Sequence, residues 1–397
     1  MKTERRIYLD YNATTPLRPE ILEVMIPYLK DHFGNPSSLH HFGQEAKRAT
    51  EDARESISNL IHSNSSEIVF TGGGTAANNL AIKGVARAGR EKGNHIITSS
   101  IEHPAVLNPC NSLEQEGYQV TYLPVDYFGM VDPDEVKSAI RPDTILISIM
   151  HANNEVGTIQ PIEEIAEIAG SHGIPLHTDA IQSLGKIPVN VKTLGVDLMS
   201  LSAHKIYGPK GVGALYIRKG IELEPLLHGG HHEMNRRAGT ENVSGIVGFG
   251  KAAKLSEMEL KDPSGLRAME ALRDYFFGRL QRDIHDVRLN GHPIERLPNT
   301  LNVSFEGVSG ESLAINLDLC GISVSTGSAC TSGAIQPSHV IQAMGAPLIV
   351  AQGSVRFSLG RDTNREEIDL TVEALRNIVH RLRTESSLYA DQRSNPT

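Results

Sequence analysis

Cysteine is scarce in this sequence, and its scarcity excludes two classes of protein. The 397 residues contain 3 cysteines, Cys110, Cys320 and Cys330. Three widely spaced thiols cannot build the disulfide framework of a small secreted domain, and they cannot supply a four-thiolate metal site. Each cysteine is therefore either an inert core residue or a reactive thiol.

Long apolar runs and basic clusters are also missing. No stretch approaches the roughly 20 apolar residues that span a bilayer, and residues 1–6 are polar, without the apolar core of a signal peptide. The chain has 47 acidic and 38 basic residues, a net charge of −9, and no basic block that could neutralise phosphates. We therefore expect a cytoplasmic protein that binds neither membranes nor nucleic acid directly.

A metal site has little support in the sequence. Two pairs of histidines are adjacent, His40 with His41 and His231 with His232. Adjacent histidines rarely converge on one ion, and no third ligand accompanies either pair. The sequence therefore predicts no metal.

Short apolar runs alternate with helical patterns over the first two thirds of the chain. This alternation is typical of βαβ units and of an α/β domain with a largely parallel sheet. The last run is either a hairpin partner or a further strand. The runs are residues 67–71, 95–98, 119–123, 144–150, 174–178, 197–201 and 213–217.

The length of the chain favours two domains, because single cores stop growing at roughly 250–300 residues. A long helical region over residues 241–284, interrupted near 262–265, leads to a second pattern of strands and helices. We predict a large α/β domain over residues 16–259. Residues 1–15 and 260–397 are predicted to form a smaller α+β domain.

Polar residues follow several of the predicted strands. Thr75, His103, Asn154, Asp179 and Lys205 all occupy such positions. Ligands of parallel α/β sheets bind outside the carboxyl ends of the strands, so we expect these side chains to share one site. His103 is either a stacking or acid–base residue there or a satisfied structural histidine.

Three of these positions suggest a particular cofactor. Gly72-Gly73-Gly74-Thr75 precedes a helix and is either a phosphate-binding turn or a tight structural turn. Asp179 needs a partner if it is buried, and a salt bridge, a helix cap or a cationic ring nitrogen would serve. Lys205, beside Ser202 and His204, is either a solvated lysine or an amine that bonds to a carbonyl group. Together they provide the three groups that pyridoxal 5′-phosphate requires: a turn that binds its phosphate, an acid that pairs with its ring nitrogen and an amine that bonds to its carbonyl group.

Ten motifs in fixed order give the chain a close resemblance to cysteine desulfurases of the NifS and IscS type, within the class V aminotransferase group. They are YLDYNATTP at 8–16, NPSS at 35–38, GGT at 73–75, EHP at 102–104, HANNEVG at 151–157, HTDAIQ at 177–182, SAHK at 202–205, RAGTEN at 237–242, STGSACTSG at 325–333 and RFS at 356–358. The resemblance implies a homodimer with a mostly parallel seven-stranded sheet of the aspartate aminotransferase type.

The resemblance also implies contacts to every part of pyridoxal 5′-phosphate. Lys205 would bond covalently to the cofactor, Asp179 would pair with its ring nitrogen, and His103 would stack on the ring and assist proton transfer. The other implied contacts are Gln182 and Asn154 to the ring oxygen, Gly74, Thr75, Ser202 and His204 to the phosphate, Thr240 from the partner subunit to that phosphate, and Asn154 and Arg356 to the substrate carboxylate.

Cys330 would be the nucleophile, on a loop of about residues 322–336 in the smaller domain. It would take sulfur from L-cysteine, leaving L-alanine and a persulfide for a protein acceptor such as an iron–sulfur scaffold or a thiolation protein. Cys320, in an apolar run, is expected in the core, and Cys110 lies within a helix without reactive neighbours. A selenocysteine lyase or an aminotransferase using the same Lys205 is one alternative. A non-catalytic scaffold with the same fold is another.

Overall fold

A seven-stranded sheet organises the first part of the chain in the computed structural model, which describes residues 6–327 and 337–385 and the backbone of residues 330–331 and 334–335. The strands are β1 (Ile7–Tyr8), β2 (Ile68–Thr71), β3 (His95–Ser99), β4 (Gln119–Leu123), β5 (Thr144–Ser148), β6 (Leu176–Asp179), β7 (Leu198–Ser202), β8 (Gly213–Ile217), β9 (Val287–Asn290), β10 (Thr300–Phe305), β11 (Ile322–Ser323), β12 (Cys330–Thr331), β13 (Ala334–Ile335) and β14 (Ser354–Ser358).

The α-helices alternate with the strands of the large sheet, as the sequence predicts. They are α1 (Pro19–Lys30), α2 (His41–Leu60), α3 (Gly74–Ala88), α4 (Pro104–Gln115), α5 (Pro133–Ala139), α6 (Ile162–Ser171), α7 (Val191–Leu194), α8 (Val243–Lys261), α9 (Ser264–Asp283), α10 (Gly310–Leu319), α11 (His339–Ala343), α12 (Leu348–Gln352) and α13 (Arg365–Glu385). None of the helices in the described part of the chain is long and apolar enough to cross a bilayer.

The large sheet has the strand order β2-β8-β7-β6-β5-β3-β4. Neighbouring strands in this sheet are parallel except at β8, which runs antiparallel to both β2 and β7. The run at 213–217 is therefore a full strand of the sheet. Every residue of β2, β3, β5, β6, β7 and β8 is buried, because helices cover both faces of a parallel sheet. The predicted mostly parallel α/β fold is confirmed.

Separate cores lie on the two faces of this sheet. On one face, α1, α2, α6 and α8 bury residues such as Ile57 and Phe249 against it. On the other face, α3 and α4 bury residues such as Leu80 and Leu113. The helices on both faces hold the carboxyl ends of the strands in place, and the polar residues predicted to share one site follow those ends.

A further core surrounds the three-stranded antiparallel sheet β14-β10-β9. Phe276 of α9 packs edge-to-face on Phe357 of β14, with ring centroids 5.0 Å apart. Ile7 and Leu9 join this core, and β1 pairs in parallel with β11. Strand β9 was missing from the sequence prediction. The domain division at residues 16 and 260 stays a prediction.

Two helix ends have defined local structure. The N-cap of α2 is His40, whose Nδ1 accepts a hydrogen bond from the Gly43 N–H. The prediction that Cys320 lies in the core was wrong, because Cys320 is exposed. Helix α10 buries Leu313 and Leu317 and ends at residue 319, so its helical periodicity no longer applies to Cys320.

Candidate active site

A cavity of about 360 Å³ opens at the carboxyl ends of the central strands. It brings together nearly all of the predicted site residues, from segments that are far apart in sequence. Those lining it are Gly74, Thr75, His103, Asn154, Asp179, Gln182, Ser202, His204, Lys205 and Arg356. Thr240 is not among the lining residues that the structure describes, and Cys330 belongs to the residues whose side chains are not described.

Lys205 enters the cavity from a 3-10 turn that directly follows β7. Its ammonium group donates hydrogen bonds to the backbone carbonyls of Asn12 and Ala13. Burial lowers the pKa of Lys205 to about 8, and the charge of Arg356 also lowers it, against the opposing effect of Asp179. A fraction of the amine is therefore unprotonated near neutral pH, as a lysine nucleophile requires.

Asp179 lies at the end of β6 with both carboxylate oxygens in use. Oδ1 accepts from the Ile181 N–H at 3.0 Å, and Oδ2 accepts from the Asn78 side-chain amide at 2.7 Å. Burial raises the pKa of Asp179, whereas these two hydrogen bonds and the nearby His103 and Lys205 favour the ionised form. A cation in the cavity would complete the compensation of this charge.

His103 caps helix α4 and faces the cavity with the rest of its ring. Its Nδ1 accepts from the Ala105 N–H at 3.0 Å, so in the neutral ring the proton is on Nε2. Burial lowers the pKa of His103, against the attraction of Asp179. The capping role and an acid–base role are compatible, because they use different ring nitrogens.

The glycine turn before α3 forms the anion-binding end of the cavity. Gly73 has φ +140°, a conformation that L-residues rarely adopt. A Cβ on Gly74 would overlap Cδ1 of Ile181, so a larger residue at this helix start would require the Ile181 side chain to move. The first N–H groups of a helix lack partners within it and attract anions.

Two further groups at this end are suited to an anion. Ser202 Oγ is buried and makes no hydrogen bond to any residue that the structure describes. Burial lowers the pKa of His204 to about 4, with the charges of Lys205 and Lys210 acting in the same direction. The neutral His204 and the unsatisfied Ser202 hydroxyl are therefore available as donors, and this end of the cavity fits a phosphate group.

Arg356 connects the cavity to the segment that precedes Cys330. Its guanidinium donates to the Asn154 carbonyl at 3.0 Å and to Asp10 at 2.8 Å. Its backbone exchanges hydrogen bonds with Ser325, at 2.7 and 3.2 Å. Arg356 Nε and Asn154 Oδ1 are buried and have no partner among the described residues, so both can receive a polar ligand.

One predicted residue whose side chain the structure describes is not brought into the cavity. Thr240 is exposed, in the chain between β8 and α8. The backbone of Cys330 forms β12, which pairs antiparallel with β13, and its role as nucleophile stays a prediction. Cys110, by contrast, is a core thiol. Its burial raises its pKa to about 12.

Sequence reasoning missed Asn12, Asn78 and Lys186. Asn12 accepts from Lys205 and Gln182 through its backbone carbonyl, and no residue type signals a backbone contact. Asn78 lies one helical turn after Gly74, so its spacing could have placed it at the cavity. Lys186 is four residues after Gln182 and bonds to it. Within the described part of the chain, no cluster of three or more potential metal ligands occurs.

The chain matches the family model Aminotransferase class-V over residues 7–371. It is 57% identical to cysteine desulfurase IscS of Dictyoglomus turgidum, over 96% of each chain. It is 53% identical to cysteine desulfurase IscS of Methanosarcina thermophila, over 98% of this chain and 96% of the relative. A solved structure of a NifS-like protein superposes with a TM-score of 0.89 at 40% identity, covering 95% of this chain and 100% of that one. The chain therefore belongs to the aminotransferase class-V family, with cysteine desulfurases as its relatives.

Proposed function

We infer that this protein is a cysteine desulfurase, which converts L-cysteine to L-alanine and leaves a persulfide on Cys330. The observation that carries this conclusion is the cavity that joins Lys205, Asp179 and the start of α3, in a chain 57% identical to a cysteine desulfurase. The reaction is balanced, because the enzyme thiol gains the substrate sulfur and the substrate carbon gains a hydrogen in its place. The persulfide then passes sulfur to a protein acceptor.

The cofactor we propose is pyridoxal 5′-phosphate, which supplies an electron sink for charge that develops on the substrate carbon. Lys205 would bond to its aldehyde, Asp179 would face its ring nitrogen, and Gln182 and Asn154 would face its ring oxygen. Gly74, Thr75, Ser202 and His204 would hold the phosphate. The support is chemical: the cavity has an amine with a lowered pKa, a buried carboxylate, and an unsatisfied hydroxyl beside a helix N-terminus.

The residues around the substrate would divide binding from proton transfer. Arg356 would hold the substrate carboxylate through its Nε–H, which has no partner among the described residues, and Asn154 through its side-chain N–H groups. The unprotonated amine of Lys205, assisted by His103 Nε2, would move the proton at Cα. Cys330, as a thiolate, would attack the substrate sulfur.

We also propose that the protein is a homodimer. Helix α1 exposes Leu22, Ile26 and Leu29 at helical spacing, and Phe33 and Phe42 stack next to them with centroids 5.5 Å apart. An exposed apolar patch of this kind is typical of a protein–protein interface. In a dimer, Thr240 of one subunit would reach the phosphate of the other.

Mixed dimers test this arrangement. A Lys205→Ala chain and a Thr240→Ala chain are each weak alone, but a mixture of the two would contain one site with both residues intact. Recovery of activity on mixing supports Thr240 acting across the interface. Sedimentation as a monomer at micromolar concentration would contradict the dimer.

The physiological acceptor is proposed to be an iron–sulfur scaffold or a thiolation protein, and the location the cytoplasm. A reducing compartment suits the proposal, because the Cys330 thiol must return to its reduced state after each transfer.

Mass spectrometry after L-cysteine treatment tests the function directly. We expect an additional sulfur on the peptide that holds Cys330, removed by a reductant. Active enzyme without that adduct would favour a selenocysteine lyase or an aminotransferase, for which Cys330→Ala would leave L-cysteine turnover intact. A non-catalytic protein would lack the visible cofactor band that borohydride removes.

A further inference from the structure

Lys186 contacts two residues that line the cavity, Gln182 and Asn12, and the proposed mechanism gives it no role. It follows Gln182 by four residues in the turn after β6, where backbone bonds from Leu184 to Ala180 and from Ile187 to Ser183 give near-helical spacing. Its Nζ lies 2.8 Å from Gln182 Oε1 and 3.4 Å from Asn12 Oδ1. The two side chains therefore meet on one face of the turn.

The turn at Gly185 directs the Lys186 amine towards the interior. Gly185 has φ +71°, and a Cβ there would lie 2.8 Å from Cγ2 of Ile206, the residue after Lys205. Only glycine permits the turn to pack this closely before Lys186. Burial lowers the pKa of Lys186 well below that of a solvated lysine, and the charges of Lys205 and Arg356 lower it further.

The orientation of the Gln182 amide follows from its two partners. On one side, Nε2 donates to the Asn12 backbone carbonyl at 3.0 Å, and a carbonyl only accepts. On the other side, Oε1 accepts from Lys186 Nζ, which also donates to Asn12 Oδ1, and a lysine amine has N–H donors for both contacts in either protonation state. A flipped amide would place oxygen against oxygen and nitrogen against nitrogen.

We propose that Lys186 is a positioning residue, which fixes the Gln182 amide so that its second N–H is available to the cavity. This deepens the proposed function and rests on it: a donor at this place suits the anionic ring oxygen of pyridoxal 5′-phosphate, and a flipped amide would present a repelling acceptor. Lys186 itself acts through Gln182.

Cofactor binding to the stripped protein separates this role from a general structural one. Lys186→Met removes the donor at similar length, and Lys192→Met is the matched control, because Lys192 is exposed on α7. We expect Lys186→Met to raise the Kd for pyridoxal 5′-phosphate about tenfold, as for loss of a polar contact at a charged group. It also shifts the pH midpoint of the visible band, and Lys192→Met changes neither.

A double-mutant cycle with Gln182→Ala shows whether the lysine acts through the glutamine. In the Gln182→Ala background, Lys186→Met should change the Kd less than about twofold, because no amide is left to orient. An equal tenfold effect in both backgrounds would overturn the proposal, and so would a wild-type Kd for Lys186→Met.

A second variant keeps the test open if Lys186→Met does not fold. Gln182→Glu has the same shape but no N–H donor, and we expect it to bind pyridoxal 5′-phosphate at least about tenfold more weakly than wild type. Wild-type affinity in that variant would overturn the need for a donor. If wild-type protein itself binds no pyridoxal 5′-phosphate, the proposed function fails before this inference is reached.

Discussion

The cavity and the segment that carries Cys330 differ in the strands from which they are formed. Lys205 and Asp179 stand at the ends of β7 and β6, strands whose residues are all buried in the centre of a seven-stranded sheet. Cys330 belongs to a two-residue strand that pairs with another two-residue strand. The first region fixes its groups through the whole core, and in the second the described residues Ser325 and Ser338 make hydrogen bonds at the two ends.

Those end contacts are specific. Before Cys330, Ser325 pairs with the backbone of Arg356. After it, the Ser338 hydroxyl donates to the buried carboxyl group of Glu155. A cofactor site needs fixed positions, whereas a thiol that takes sulfur and delivers it elsewhere must serve two partners. The comparison therefore predicts that mutations in the two regions damage different steps.

Lys205→Ala is expected to have the largest effect, because it removes the amine that would bond to the cofactor. We expect a loss of L-cysteine turnover of about a thousandfold or more, together with loss of the visible band of the bound cofactor. Turnover and an absorption spectrum on the same sample provide the measurement. A Lys205→Ala enzyme with a normal spectrum would contradict the proposed role of this lysine.

Cys330→Ala is expected to stop sulfur transfer as completely and to leave the cofactor in place. The proposed cofactor contacts do not include this thiol, so we expect the visible spectrum and the Kd for pyridoxal 5′-phosphate to match wild type. Sulfide release under reductant and the spectrum test the two halves separately. If both were lost together, the division between the two regions would be wrong.

The pH dependence of cofactor capture probes the cavity alone. Burial lowers the pKa of Lys205 to about 8, and the unprotonated amine, present above that pKa, is the reactive form. Covalent capture by the stripped protein should therefore rise about tenfold from pH 7 to pH 9 and then level off. An ordinary lysine would give about a hundredfold rise that continues above pH 9, so stopped-flow absorbance distinguishes the two.

Gly327→Ala tests the segment that carries Cys330. A Cβ on Gly327 would overlap Oε2 of Glu155 and lie 2.8 Å from Cβ of Ser338. Glu155 and Ser338, which are joined by a hydrogen bond, must therefore shift. Overpacking of this kind costs about 1–3 kcal/mol, and we expect about a tenfold loss of sulfide release with an unchanged Kd for pyridoxal 5′-phosphate. A weaker Kd with normal sulfide release would be the reverse of the expected pattern.

Part of the cavity is predicted by the sequence pattern, because parallel strands deliver their carboxyl ends to one edge. That rule predicts that Thr75, His103, Asn154, Asp179 and Lys205 share one site, whereas the other predicted lining residues were implied only by the family resemblance. The rule could not find the backbone carbonyl of Asn12, since every residue has one. It also gave Lys186 no role, since nothing in the order of residues shows that this lysine turns inward to Gln182.

The prediction for Cys320 failed for a related reason. The apolar run at residues 317–320 suggested burial, but α10 ends at residue 319, and pattern arguments hold only within an element. Strand β9 was missed because it is only partly buried, with just Asn290 fully enclosed, and so has no apolar run.

Cys110→Ala is expected to have the smallest effect on activity, and it completes the comparison between thiols. Cys110 is a residue of α4 that is fully buried in the core shared with α3, and burial raises its pKa to about 12, with Glu102 and Glu114 acting in the same direction. The thiolate is therefore absent near neutral pH, so turnover should change less than about twofold while the free energy of unfolding falls by about 1 kcal/mol. Iodoacetamide at pH 8 should leave Cys110 unmodified in the folded protein and modify it after denaturation. Labelling of Cys110 in the folded state would show that burial does not decide which thiol reacts, and the contrast with Cys330 would then need another cause.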